Sequence, residues 1–221
     1  VWGDIRKNRR FSRLSVYSRL VVAISLGLAL GGAAVIALLE WNNPGTIGGL
    51  TAGGKVLASL FQSVTLRTAG FASFDQNALR DVTKAVCDVL MFVGGSSGST
   101  AGGVKTVTVG VLVLAAVGTA RGRTHITAFK RTIPQGTVAN AGSIALLMLT
   151  LGAVGAGTIA VIDGVSFENA IYETISALCT VGLTTGITSG LSLASCLILI
   201  VFMFFGRVGI MTISVGFMMA N

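Results

Sequence analysis

Four stretches of this chain are long, apolar and almost free of charge. Residues 20–39 and 138–162 carry no charged side chain, 85–118 carries only Asp88 and Lys105, and 191–220 only Arg207. A helix needs about 20 apolar residues to cross a bilayer, so each stretch is long enough to span. The second and fourth are too long for one straight span and predict a tilt or a break. Between them lie two amphipathic stretches, 56–66 and 167–178, too short to cross and therefore read as re-entrant. The predicted order is a basic segment 1–19, then helix 20–39, pore loop 56–71 and broken helix 84–119. A connection, 120–137, follows. Then come helix 138–162, pore loop 167–185 and helix 191–220. The pattern is that of an all-α polytopic membrane protein with two helix–pore loop–helix units.

The two units align without a gap at an offset of 112 residues, the distance from Thr68 to Thr180. Ala58, Leu66, Thr68 and Gly70 coincide with Ala170, Leu178, Thr180 and Gly182, and Met91-Phe-Val-Gly94 falls on Met203-Phe-Phe-Gly206. Separate matches in one register point to duplication.

Composition and charge add an orientation. Of 221 residues, 52% are hydrophobic and only 11% charged, against roughly 25% charged in a soluble domain. Ten of the sixteen basic residues sit in two flanks: Arg6, Lys7, Arg9, Arg10, Arg13 and Arg19, then Arg121, Arg123, Lys130 and Arg131. Cytoplasmic loops collect such residues, so the net charge of +8 predicts membrane topology rather than nucleic-acid binding. Both flanks are then cytoplasmic, and 40–84 lies outside. The connection 120–137, with Gly122 and Pro134, reads as a cytoplasmic loop with room for a short surface helix. The chain begins without Met and stops within an apolar segment, and reads as a piece of a longer protein. Cys87, Cys179 and Cys196 read as small core residues. His125 is the only histidine, too few for a metal site. Gly27-Leu-Ala-Leu-Gly31, and Gly152, Gly155 and Gly157, read as faces for close helix packing.

Two features carry the chemistry. Thr68-Ala-Gly-Phe71 and Thr180-Val-Gly-Leu183 each follow a short amphipathic helix. A cation crossing a membrane must exchange its water shell for other oxygens, and backbone carbonyls can supply them. Glycine lets such a backbone turn its carbonyls inward, and the C-terminal dipole of the preceding helix favours a cation. An external hairpin turn is the plainer reading of a single copy; duplication favours a filter holding K⁺ on the carbonyls of Thr68, Ala69, Gly70, Phe71, Thr180, Val181, Gly182 and Leu183. The second feature is Gly94-Gly-Ser-Ser-Gly-Ser-Thr-Ala-Gly-Gly-Val-Lys-Thr106. A phosphate-binding Walker loop needs Lys directly after its second glycine, but Val104 separates Gly103 from Lys105. A flexible break remains open; the favoured reading is a loop inside the pore, where irregular backbone is buried or hydrated. The gate residues are then Gly94, Gly95, Ser96, Ser97, Gly98, Ser99, Thr100, Ala101, Gly102, Gly103 and Lys105, joined by Arg207. Arg207 falls on Gly95 in the 112-residue register, and a positive charge below a filter repels cations; snorkelling to the interface is its alternative. Arg67 falls on Cys179 and is expected off the ion path, supporting the pore loop in a buried pair with Glu173.

These motifs, with Thr65-Leu-Arg-Thr-Ala-Gly-Phe71, Thr180-Val-Gly-Leu-Thr-Thr-Gly186 and Phe205-Gly-Arg-Val-Gly209, resemble the Trk/Ktr/HKT superfamily of potassium transporters. The likeness runs over essentially the whole chain. Within the superfamily it is nearest to the membrane subunit of the bacterial Ktr system. The resemblance implies four helix–pore loop–helix repeats in fourfold pseudosymmetry around one cation pore, of which this chain holds the third and fourth. Gly70 and Gly182 would be filter glycines, 94–106 the intramembrane gating loop and Arg207 the gating arginine. It further implies a homodimer in a bacterial plasma membrane, docked on a cytoplasmic ring of nucleotide-binding subunits. The nucleotide site belongs to that ring, so this chain binds no cofactor of its own.

The expected function is passive K⁺ uptake, driven by an inside-negative potential of about 2.3 kcal/mol per charge per 100 mV. No catalytic constellation is visible, and no enzyme is expected. Two alternatives stay open from the sequence: a non-conducting membrane scaffold or assembly subunit, and a membrane enzyme using the glycine loop for a phosphate-bearing ligand.

Overall fold

A computed structural model describes residues 14–96, 101–122, 127–128 and 131–208. Among these residues the chain is almost entirely helical: α1 Val16–Glu40, α2 Ala52–Thr65, α3 Asp81–Phe92, α4 Thr106–Ala120, α5 Gln135–Asp163, α6 Phe167–Leu178 and α7 Leu193–Val208. Local chemistry sets several ends. Ser15, Thr51 and Ser166 cap α1, α2 and α6 by accepting the amides of Ser18, Gly54 and Asn169, which supplies partners to otherwise orphaned helix amides. Pro134 precedes α5, and Gly164 ends it with φ +63°, a left-handed turn that glycine adopts without a Cβ penalty.

The apolar stretch 85–118 is interrupted. α3 stops at Phe92, the described residues 93–96 and 101–105 are not helical, and α4 starts at Thr106. The connection 120–137 holds a two-residue hairpin, Thr127–Ala128 paired with Arg131–Thr132, where the sequence allowed a surface helix. Residues 209–221 of the last apolar segment lie outside the described residues.

α1 and α5 are long and apolar enough to cross a membrane, with 18-residue windows of mean hydropathy 2.4 and 2.2. Much of their apolar surface is not covered by protein. Leu26, Leu30, Leu38, Leu146, Leu149, Val154 and Val161 are exposed, as are Leu197, Ile200 and Phe204 on α7. Such a surface is stable against lipid and not against water. Inside, Ile36, Leu66, Met91, Ile159, Tyr172 and Leu178 are fully buried where α1, α3, α5 and the two short helices converge.

The long helices approach their neighbours closely at one glycine each. A Cβ on Gly32 would meet Ser63 on α2 and Leu90 on α3; a Cβ on Gly155 would meet Thr174 on α6 and Phe202 on α7. Leu90 and Phe202 are 112 residues apart, so the same register position fills both contacts. Three of the glycines expected at packing faces do not serve there. A Cβ at Gly27, Gly31 or Gly157 would meet nothing within 4 Å, and Gly157 sits on the exposed face of Val154 and Val161. Gly32, outside the GxxxG pair, makes the contact because it faces α2. Cys87 and Cys179 are buried, whereas Cys196 is only partly so.

A second device repeats at the helix ends. Glu40, fully buried at the end of α1, accepts the Arg80 amide (3.1 Å), the Thr83 hydroxyl, Asn43 Nδ2 (2.6 Å) and the Thr46 hydroxyl (2.8 Å). Asp163, at the end of α5, accepts the Ser192 amide (3.1 Å) and faces Ser195. Ser192 and Ser195 follow Arg80 and Thr83 by 112 residues. In both halves a carboxylate at one helix end holds the N-terminus of the helix that follows the intervening short helix, where the dipole favours negative charge.

Gly32→Val and Gly155→Val are therefore expected to destabilise the protein by about 1–3 kcal/mol through overpacking. Gly157→Ala on the open face should stay within about 0.5 kcal/mol. Thermal unfolding of the detergent-solubilised protein measures the contrast, and equal shifts in all three would refute the assigned contacts.

Candidate functional site

The two short helices end at the same place. α2 leads directly into residues 66–71 and α6 into 179–183, so two helix C-termini point at one region. Beyond each end the backbone enters the left-handed region twice: Thr68 at φ +66° and Gly70 at +76°, then Thr180 at +55° and Gly182 at +92°. Threonine rarely adopts this conformation, because its branched Cβ crowds the backbone. The residues around it hold it there. The Ala69 and Gly70 amides both donate to Thr65 O at 3.1 Å, and the Val181 amide donates to Ser176 O at 2.8 Å. The Thr65 hydroxyl bridges the Phe71 amide and carbonyl at 2.8 Å each. The Ser176 hydroxyl accepts the Gly182 amide (3.2 Å) and donates to Leu183 O (2.6 Å).

The two turns touch. A Cβ on Gly70 would collide with the Val181 carbonyl, and Gly182 stands 4.0 Å from Gly70 Cα by the same measure. Only glycine permits that approach. Among the described residues, the carbonyls of Thr68, Ala69, Gly70, Thr180, Val181 and Gly182 accept no hydrogen bond, while those of Phe71 and Leu183 accept one each. The Phe71 side chain is 70% exposed.

Buried polar contacts set the two short helices against each other. Gln62 on α2 donates to Gln76 (2.6 Å), and the Tyr172 hydroxyl on α6 donates to the same Gln76 oxygen (3.0 Å). Lys84 on α3 reaches the start of α6, pairing with Glu168 at 3.5 Å and donating to Asn169 at 3.1 Å. Glu173, buried on α6, accepts the Thr184 hydroxyl (2.6 Å), the Thr185 amide (2.8 Å) and hydroxyl (3.1 Å), and the Thr188 hydroxyl (2.9 Å). This holds the chain that leaves the second turn.

The expected Arg67–Glu173 pair does not form. The Glu173 carboxylate is satisfied by four hydroxyl and amide donors, as a carboxylate's lone pairs allow. Arg67 turns the other way, donating to Ser25 O and Ser25 Oγ (3.3 Å each) and to Thr106 Oγ1 (3.5 Å). Nor is it remote from the turns. It lines a cavity of about 470 Å³ with Thr68, Ala69, Gly95, Ser96, Thr180 and Arg207.

The described ends of the glycine-rich connection lie beneath the turns. Its base is zipped by Val104 N to Phe92 O (3.1 Å), Gly94 N to Val104 O (2.9 Å) and Thr106 N to Gly95 O (3.1 Å). A Cβ at Gly94 would strike the Gly102 carbonyl. Gly102 donates its amide to Thr180 Oγ1 at 2.9 Å, so the connection is tied to the second turn. Gly103 has φ +71°. Lys105 donates back to the Ala101 carbonyl, staying within the connection. Ser97, Gly98, Ser99 and Thr100 lie outside the described residues. Arg207 and Gly95, opposed in the register, share the cavity below the turns. Arg207 also lines a second cavity of about 520 Å³ with Glu173, Ser176, Gly182 and Thr188. Sequence reasoning missed Thr65, Ser176 and Thr106, whose hydroxyls bind backbone across the motifs. Their only signal is a hydroxyl residue flanking each motif.

The matched region extends over nearly the whole chain: a family model described as TrkH, cation transport protein, covers residues 6–221. The chain belongs to this family. Among curated TrkH-family relatives, it is 36% identical over 214 residues to the Ktr system potassium uptake protein B of Bacillus subtilis, spanning 97% of this chain and 48% of that protein. It is 35% identical over 217 residues to the potassium/sodium uptake protein NtpJ of Enterococcus hirae, spanning 96% of this chain and 48% of that one. This TrkH-family chain thus spans about half the length of these relatives. The crystal structure of the potassium transporter TrkH from Vibrio parahaemolyticus superposes with a TM-score of 0.70 at 20% identity, covering 87% of this chain and 43% of that one; the fold is shared.

Glu173→Gln should cost about 2 kcal/mol, since charge-assisted hydrogen bonds to buried donors are replaced by an amide that must turn an N–H toward them. Thermal unfolding checks the loss. An unchanged melting temperature would show that the carboxylate does not hold residues 184–188.

Proposed function

We propose that this chain forms half of a potassium pore and that its subunit conducts K⁺ passively into a bacterial cell. The observation carrying this reading is the set of main-chain carbonyls at 68–70 and 180–182. Among the described residues they have no donor where two helix C-termini meet, and glycines at 70 and 182 allow the backbones to touch. Unpaired carbonyls in a membrane interior are costly, and a dehydrated cation offsets that cost by taking them as ligands. Residues 20–119 and 138–221 act as two pore units of a fourfold pseudosymmetric set. The segments 1–19 and 120–137 lie in the cytoplasm. The relatives' names point to potassium uptake. No cofactor or catalytic step is assigned to this chain. As in the Ktr-type arrangement, a homodimer docked on a cytoplasmic nucleotide-binding ring completes the transporter.

The segment 94–106 is the gate, and Arg207 is the charge that holds cations back below the filter. This reading is supported by Gly95, Ser96 and Ala101 of that segment, which line one cavity with Arg207, Thr68 and Thr180. The positive potential of Arg207 in a low-dielectric cavity opposes a second cation far more strongly than it would in water.

A full-length subunit carrying this chain should rescue a K⁺-uptake-deficient bacterium on low-K⁺ medium. Failure to rescue, with the protein present in the membrane, favours a non-conducting scaffold. Shortening 94–106 and, separately, Arg207→Ala should each raise Rb⁺ uptake by about tenfold, the effect of removing about 1.4 kcal/mol of barrier. Unchanged or lower uptake in both removes the gating roles.

A further inference from the structure

Arg67 immediately precedes the first filter threonine, and its position in the second half is held by Cys179. The fold gives the arginine contacts that a cysteine at the matching position could not make. Its guanidinium reaches α1 through Ser25 and α4 through Thr106 Oγ1 (3.5 Å). Thr106 is fully buried at the first position of α4. Its hydroxyl also donates to Gly94 O at 3.2 Å, and its amide donates to Gly95 O at 3.1 Å. A hydroxyl both accepts and donates, so Thr106 accepts the arginine N–H hydrogen bond while donating its own O–H to Gly94 O. One unbroken path of hydrogen bonds runs from the residue before Thr68, through Thr106, to both strands of the base that carries the glycine-rich connection. The second filter is tied differently, by Gly102 donating to Thr180 Oγ1.

We propose that Arg67 is a positioning residue that couples the base of the glycine-rich connection to the first filter. Displacing the base withdraws Thr106 from the guanidinium and frees the backbone at Arg67, which is joined directly to the left-handed Thr68. The left-handed threonine is a strained conformation that persists only while its surroundings hold it, so the first filter senses the base. The arginine's planar fork suits this role, because it bonds Ser25 and Thr106 at once, which an ammonium group does less rigidly. The inference rests on the transport reading for its ion readout, and it carries a second readout that needs no transport.

The test uses the full-length subunit with Thr106→Val, Arg67→Lys and the double variant. Thr106→Val removes the hydroxyl with little change of shape. In detergent, hydrogen–deuterium exchange of the Gly94, Val104 and Thr106 amides should quicken by about fivefold in each single variant, the loss of one modest buried hydrogen bond. The double variant should match the singles, because both break the same path. In cells, the ratio of Rb⁺ uptake in the presence and absence of Na⁺ should shift in the same non-additive way. Exchange and selectivity effects that multiply in the double variant would overturn the coupling, as would Arg67→Lys leaving base exchange unchanged. If the wild-type subunit fails to transport, the conduction reading falls while the exchange result still decides the coupling.

Discussion

Main-chain carbonyls that accept no hydrogen bond among the described residues are the constraint on which the rest of this fold is arranged. An amide oxygen without a partner costs more the further it is withdrawn from water. Residues 68–70 and 180–182 carry six carbonyls that accept no hydrogen bond among the described residues, and the two turns meet where Gly70 lies against the Val181 carbonyl. Such an arrangement persists only if the helices on either side cannot drift. Gln62, Gln76 and Tyr172 lock α2 to α6, Lys84 holds the start of α6, and the Thr65 and Ser176 hydroxyls clamp the turns from within. Rigidity comes from buried polar bonds rather than from apolar packing alone.

Charge is divided accordingly. The carboxylates of Glu40, Asp163 and Glu173 face amides and hydroxyls, so they act as braces. Arg67 and Arg207 instead line the cavity beneath the turns. The two halves agree at one brace, where Arg80 and Thr83, held by Glu40, match Ser192 and Ser195 at Asp163, whereas Glu173 falls on Phe61. They differ at the cavity, where Arg67 matches Cys179 and Arg207 matches Gly95. The differences thus fall at the cavity beneath the turns, where the proposed pore would place its control.

Much of this is legible in the order of residues alone. The break in the second apolar segment follows from small polar residues inside a hydrophobic run. The paired left-handed turns sit where Thr-x-Gly recurs. Other readings fail for a common reason. Gly27 and Gly31 match a packing motif, yet Gly32 makes the contact, because which helix face meets α2 depends on how the connection 41–51 returns the chain. Arg67 and Glu173 look complementary, yet Thr184, Thr185 and Thr188 reach Glu173 from its own loop, and Ser25 and Thr106 reach Arg67 from two other helices. The connection 120–137 has room for a helix, and within it Thr127–Ala128 pairs with Arg131–Thr132.

By itself, the sequence determined the apolar segments, the 112-residue register and the glycines at 70 and 182, because each depends on spacing along one chain. The tertiary structure alone decided which donor satisfies which buried acceptor. Arg67 finds Ser25 at a separation of 42 residues and Thr106 at 39, and Gly102 finds Thr180 across 78. Hydrogen bonds act over about 3 Å, so partners so distant in sequence are chosen only once the helices have packed.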